Sequence, residues 1–178
     1  DLLLAYGGVI FEQGSFSGDG DSLSWDRDID VIWLLGEPVV WSEEDEMTGD
    51  TVKMVLKRNK PSEMNLIGRA NVFSPANDSL DHRISGRNLE AKFKEGKLKK
   101  VDVRGNGTAH YYSIDDNDNI SLNRATCAHI RMLFSGGSVK RITLLHNPEG
   151  RFEKLGEESN SNPEGKDSPQ KRRERPEL

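Results

Sequence analysis

A hairpin-sized unit recurs along this chain, and no other feature constrains its fold as much. Val52, Met54 and Leu56 alternate with polar residues, a polar stretch intervenes, and Met64, Leu66 and Gly68 resume the alternation. The next copy places Leu89, Ala91 and Phe93, a Lys-Glu-Gly-Lys turn, then Val101, Val103 and Gly105 at matching positions. A third runs through Ile130, Met132 and Phe134, a Ser-Gly-Gly-Ser turn, and Ile142, Leu144 and His146. An earlier, shorter copy starts at Gly20 to Trp25 and returns through Ile32, Leu34 and Gly36. Period-two alternation on both sides of a tight turn is the pattern of a β-hairpin with one apolar face. A lone hairpin is marginal in water, so four in series must cover their apolar faces as a sandwich, jelly roll or solenoid. Gly68, Gly105 and Gly107, after the returning strands, mark expected bends or bulges and favour a folded-over roll. The long copies open on similar steps, Thr48-Gly49-Asp50-Thr51 and Ser85-Gly86-Arg87-Asn88, with Cys127 in place of the glycine in the last.

With 178 residues there is room for one core and a tail. Residues 1–17 read as a lead-in able to supply one edge strand, and 18–152 as the β-domain. Residues 153–178 hold only Leu155 and Leu178 as aliphatics among many charges, the composition of a disordered tail or linker. Leu2 to Ala5 is too short for a signal-peptide core, and no stretch approaches the ~18 apolar residues of a membrane helix. The chain is therefore expected to be soluble, with any export signal removed or never present. A net charge of −5 argues against a nucleic-acid partner. The single cysteine, Cys127, fits a cytosolic or a bacterial periplasmic protein.

No constellation of catalytic residues stands out, and the reading is of a protein that is not an enzyme and uses no cofactor. His82, His110, His129 and His146 lack the short spacings of a metal site, so none is expected. Asp115 to Asn119 offers oxygens at alternate positions but lacks the glycine and closing glutamate of a calcium loop; a polar hairpin turn is the better reading. Lys57, Arg58 and Lys60 at one turn, and Lys97, Lys99 and Lys100 with Arg104 at the equivalent turn of the next repeat, could line one rim with positive charge. Phosphates of a lipid head group would suit that rim, as would any anion; solvated turns guarded by lysine are the plainer explanation. The inward positions are Trp25, Ile32, Leu34, Val40, Met54, Leu56, Met64, Leu66, Val72, Ala91, Phe93, Val101, Val103, Met132, Phe134, Ile142 and Leu144. They make an ordinary core or line a groove for acyl chains, where each buried methylene contributes roughly 0.8 kcal/mol. Val31 to Leu35 is apolar on both faces, so that strand is sandwiched or awaits a partner.

Several segments in order carry a family resemblance: Asp21-Ser22-Leu23, Gly36-Glu37-Pro38-Val39-Val40-Trp41-Ser42, Thr48 to Val52, Lys99 to Gly107 with Tyr111-Tyr112, and Asn147-Pro148-Glu149-Gly150. Over about Gly18 to Phe152 the chain resembles the OstA-like proteins of lipopolysaccharide transport, related to the LptA and LptC bridge components and the periplasmic part of LptD. The resemblance implies an all-β, twisted, open β-jelly roll of stacked antiparallel hairpins in the periplasm of a Gram-negative cell, with outer-membrane association as a further expectation. It implies passive carriage: the interior shields the acyl chains of lipopolysaccharide and passes them toward the outer membrane, driven by an ATPase elsewhere. Implied partners are lipopolysaccharide and other jelly-roll components, or a second copy, joined edge to edge. Catalytic residues are not implied, and the inward positions above are where lipid contacts are expected. A structural β-solenoid that polymerises without lipid is the main rival, and a carbohydrate-binding module or jelly-roll enzyme a weaker one.

Overall fold

The computed structural model describes residues 1–115, 117–136, 138–155 and 172–173. Among them twelve antiparallel strands form one sheet: β1 (Leu2–Gln13), β2 (Phe16–Asp26), β3 (Val31–Leu35), β4 (Val39–Ser42), β5 (Asp45–Thr48), β6 (Thr51–Lys57), β7 (Lys60–Asn77), β8 (Leu80–Lys94), β9 (Lys97–Ile114), β10 (Ile120–Ser135), β11 (Ser138–Leu145) and β12 (Glu149–Leu155). β3 with β4, β6 with β5, and β11 with β12 are broken strands lying along one neighbour each: β2, β7 and β10. The path is thus a meander of nine long strands.

All nine are interrupted at one level, so a crease runs across the sheet. On alternate strands the crease holds two consecutive residues of positive φ: Gly7-Gly8, Gly36-Glu37, Gly68-Arg69, Gly105-Asn106 and His146-Asn147. Glycine is required at three of these, because a Cβ at Gly36, Gly68 or Gly105 would collide with Asp21, Asp50 or Arg87 on the neighbouring strand. Between β7 and β8 the register passes from Ile67↔Asn88 to Ala70↔Gly86, one extra residue on β7, which is a β-bulge that bends the strand.

The crease divides the sheet into two walls. The first carries the turns after β2, β6, β8 and β10, and the second those after β1, β4, β7 and β9. One hydrophobic cluster takes Met54, Leu66 and Val103 from the first wall and Val40, Val72 and Ile84 from the second, so the walls fold face to face. The successive hairpins therefore lie side by side in the first wall, and the continuations of the same strands cover them. Fully burying a side chain such as Leu34 or Leu66 contributes roughly 1.5–3 kcal/mol, which makes this interior the main source of stability.

Strands extend beyond the expected domain at both ends. Residues 2–13, within the expected lead-in, form β1 on β2. β12 continues to Leu155, three residues beyond the expected end of the domain, because backbone pairing to Ile120 through Thr126 extends a strand whose side chains are largely exposed. The tail expected from residue 153 otherwise falls mostly outside the described residues.

Candidate functional site

The inner face of the first wall is built from two unbroken cross-strand ladders. One joins Trp25, Ile32, Met54, Met64, Ala91, Val101, Met132 and Ile142. The other joins Leu23, Leu34, Val52, Leu66, Leu89, Val103, Ile130 and Leu144. Fifteen of the inward residues lie in these ladders or beside them at Leu56, Phe93 and Phe134; Leu23, Val52, Leu89 and Ile130 complete the rows. Val40 and Val72 lie on the facing wall, in a ladder of Gly18, Val40, Met47, Val72, Ile84, Ala109, Ala125 and Gly150.

That facing ladder makes the interior asymmetric. At its wide-side-chain end the walls touch: the Phe16 and Phe93 rings meet edge to face at 5.2 Å, and Gln13 Nε2 donates to the Asn59 carbonyl at 2.9 Å. Toward the C-terminal edge the facing ladder shrinks to Ala109, Ala125 and Gly150. There Phe134, Val139, Ile142 and Leu144 are only partly buried, as Trp25 and Phe11 are at the opposite edge, whereas Met54, Met64 and Leu66 on the middle strands are fully buried. An apolar surface fronted by small residues can admit a flexible alkyl chain where the packed end cannot.

The basic residues fall where their repeat positions predict. Lys57, Arg58 and Lys60 form the β6–β7 turn and Lys97 opens β9, and pairing of Glu63 with Lys92 sets both turns at the same rim. None of Lys57, Arg58, Lys60, Lys97 and Lys99 is ion-paired with another described residue among the bridges present. Lys100 differs. Its ammonium pairs with Asp102, a carboxylate 3% exposed that also accepts from Arg131 Nε at 2.8 Å and lies 2.9 Å from His129 Nε2. Burial alone would push Asp102 up, but bonds from Lys100, Arg131 and His129 hold it well below the usual carboxylate range. Lys100 is thus already committed to a buried partner.

The Asp115 segment is a turn: Asp115 Oδ1 accepts the backbone N–H of Asn117 and of Asn119, each at 2.9 Å. No group of three or more His, Cys, Asp or Glu able to hold a metal occurs among the described residues. Cys127 is buried at the crease on β10, where its thiol donates to the His129 carbonyl at 3.2 Å. The bend survives the missing glycine, because the register still slips between Cys127 and His129 and the adjoining His146-Asn147 pair takes up positive φ. In the two-faced strand, Val31, Ile32 and Leu34 are buried, and Lys53 lies 5.3 Å from the outward Trp33 ring.

A polar cleft of about 670 Å³ escaped the sequence reading. It follows the outside of the crease, where Arg69 pairs with Glu37 at 2.8 Å and Asp50 at 2.6 Å, and it reaches Glu46, Arg83 and Arg173. Glu46 is 1% exposed, beside the buried Trp41 and Phe73, and burial raises its carboxyl above the ordinary value against the pull of Arg173 and Arg172. Its signal was present as opposed charge runs, Glu43 to Glu46 against Lys171 to Arg173.

No family model and no curated protein sequence matches the chain. Among solved structures it is similar to LptH of Pseudomonas aeruginosa, described as the LptA homologous periplasmic component of the conserved lipopolysaccharide transport device. The TM-score is 0.53 at 18% identity, over 74% of this chain and 94% of that one. The fold is LptA-like. Conservation of architecture at that identity accords with a fold held by apolar ladders and a crease, which many sequences can supply. The all-β jelly-roll expectation and the resemblance in fold both stand.

Proposed function

We propose that this chain is a periplasmic lipopolysaccharide-binding and transport component, which shields acyl chains in its apolar interior and passes them toward the outer membrane. The observation carrying this reading is the narrowing of one inner ladder to Ala109, Ala125 and Gly150 opposite the partly buried Phe134, Ile142 and Leu144, in an LptA-like fold. Acyl chains enter at that end and lie along the two ladders from Trp25 to Ile142 and from Leu23 to Leu144. The groove set is the inward list above, with Lys57, Arg58, Lys60, Lys97 and Lys99 available to head-group phosphates and Lys100 contributing through its Asp102 pair. Each methylene moved from water contributes roughly 0.8 kcal/mol, so a dozen offset the opening of a partly packed interior. Carriage is passive, with no catalytic step. Neighbours of the same fold, or a second copy, join by edge-strand pairing through β1 or the β11–β12 edge, as free strand edges allow.

A second reading, a structural β-scaffold whose interior is filled by its own side chains, is favoured by the complete burial of Met54, Met64 and Leu66. Purification from Gram-negative cells followed by lipid mass spectrometry separates the two. Lipid A is expected with the native chain and is lost from a folded Ile142→Asp variant. Absence of lipid A from the native chain, with no uptake of added lipopolysaccharide, leaves the scaffold.

A further inference from the structure

The outer face of the second wall is buried around Val39, Trp41, Glu46 and Phe73, although these side chains lie outside the main core cluster. The described chain found on that face is Arg172–Arg173. The Arg173 backbone N–H donates to Glu46 Oε2 at 2.8 Å, and its guanidinium donates to the Glu37 carbonyl at 3.5 Å. Arg172 pairs with Asp81 at 3.1 Å and donates to the Glu44 carbonyl. Backbone and side chains are thus read together: a buried carboxylate takes the amide, and two carbonyls and a second carboxylate take the guanidinium groups. An isolated buried carboxylate is costly, so this face is suited to a partner that brings both N–H donors and positive charge.

We propose that the groove around Glu46 is a recognition site for an extended segment carrying two adjacent arginines, and that the chain's own Arg172–Arg173 fills it as an exchangeable occupant. Docking ties the β4–β5 turn to the β7–β8 turn across the short β5, which pairs with β7 through only Glu46, Met47 and Thr48. Because residues 156–171 tether the segment, its effective concentration at the groove is high, and the same segment supplied separately competes poorly until the tethered one is disabled.

The test uses a fluorescent peptide of residues 168–178 and the full chain, with anisotropy as the readout. The peptide is expected to bind the Arg172→Ala/Arg173→Ala chain about tenfold or more tightly than the unaltered chain. Adding Asp81→Lys to that variant should weaken binding about fivefold, and added salt should weaken it further. Asp81 and Arg172 are partly exposed, so these substitutions leave the interior intact. Equal affinity for both chains, no binding to either, or indifference to Asp81→Lys overturns the proposal. In the unaltered chain the Arg173 amide should resist hydrogen exchange; free exchange there also overturns it.

Discussion

Asp102 concentrates more charge interaction than any other described side chain, touching Lys100, His129 and Arg131 from a nearly inaccessible position. Its carboxyl titrates below the unfolded value near 3.8, so the stability it contributes is fully present above that pH and is lost as pH falls further. Asp102→Ala should cost about 3 kcal/mol at neutral pH, the loss expected when one partner of a buried ionic cluster is removed. Urea unfolding of both chains at pH 7 and near pH 2.5 checks this: the difference should shrink at the acid end, and one that persists unchanged rules out the ionic explanation. The cluster was invisible in the sequence because Asp102 and Lys100 face away from the apolar ladder, while their partners His129 and Arg131 are about thirty residues distant and meet them only through β9–β10 pairing.

At the scale of elements, the crease explains both what could be read and what could not. On the returning strands the inward phase runs straight through it: Met64, Leu66, Ala70 and Val72 on β7, or Val101, Val103 and Ala109 on β9. On the outgoing strands the phase changes. Leu89 and Ala91 point inward beyond the crease on β8 and Ile84 before it; β10 does the same with Ile130 and Cys127, and β2 with Leu23 and Phe16. Strict alternation extrapolated upstream from Leu89 predicts Arg87 and Ser85 inside, so the second wall was legible only where a returning strand entered it, at Val40 and Val72. Phe16, Met47 and Ile84 were missed for this reason. The conformational demand of the crease is measurable. Gly68 and Gly96 both have positive φ, but only at Gly68 would a Cβ meet a neighbour, Asp50, which also holds Arg69. Gly96→Ala should cost about 1 kcal/mol and Gly68→Ala about 1 kcal/mol more in chemical denaturation. Equal costs would mean that the crease imposes nothing beyond its dihedral angles.

For the molecule as a whole, the unequal ends of the interior decide where it can yield. Phe16 is 1% exposed and bridges the walls through Phe93, so Phe16→Ala should cost about 3–4 kcal/mol and speed hydrogen exchange at the β1–β2 and β6–β7 turns together. Phe134→Ala, at the partly buried end, should cost about 1 kcal/mol; similar costs at both positions would remove the distinction between a packed end and a yielding one. The overall architecture was legible because eight strands repeat the same ladder positions, whereas the outer groove depends on residues more than a hundred positions apart, Glu46 and Arg173. The crease has one more consequence, for how such a chain can change length over generations. Each strand keeps its inside and outside only while the residue count across the crease is preserved, much as a message keeps its meaning only in frame. Losing one residue at Gly68-Arg69 would turn Val72 outward and Asn71 and Phe73 inward, whereas the β7–β8 turn at Asn77–Leu80 can lengthen without disturbing either wall. Insertions and deletions are therefore tolerated at the rims, and the crease is the line along which length is held fixed.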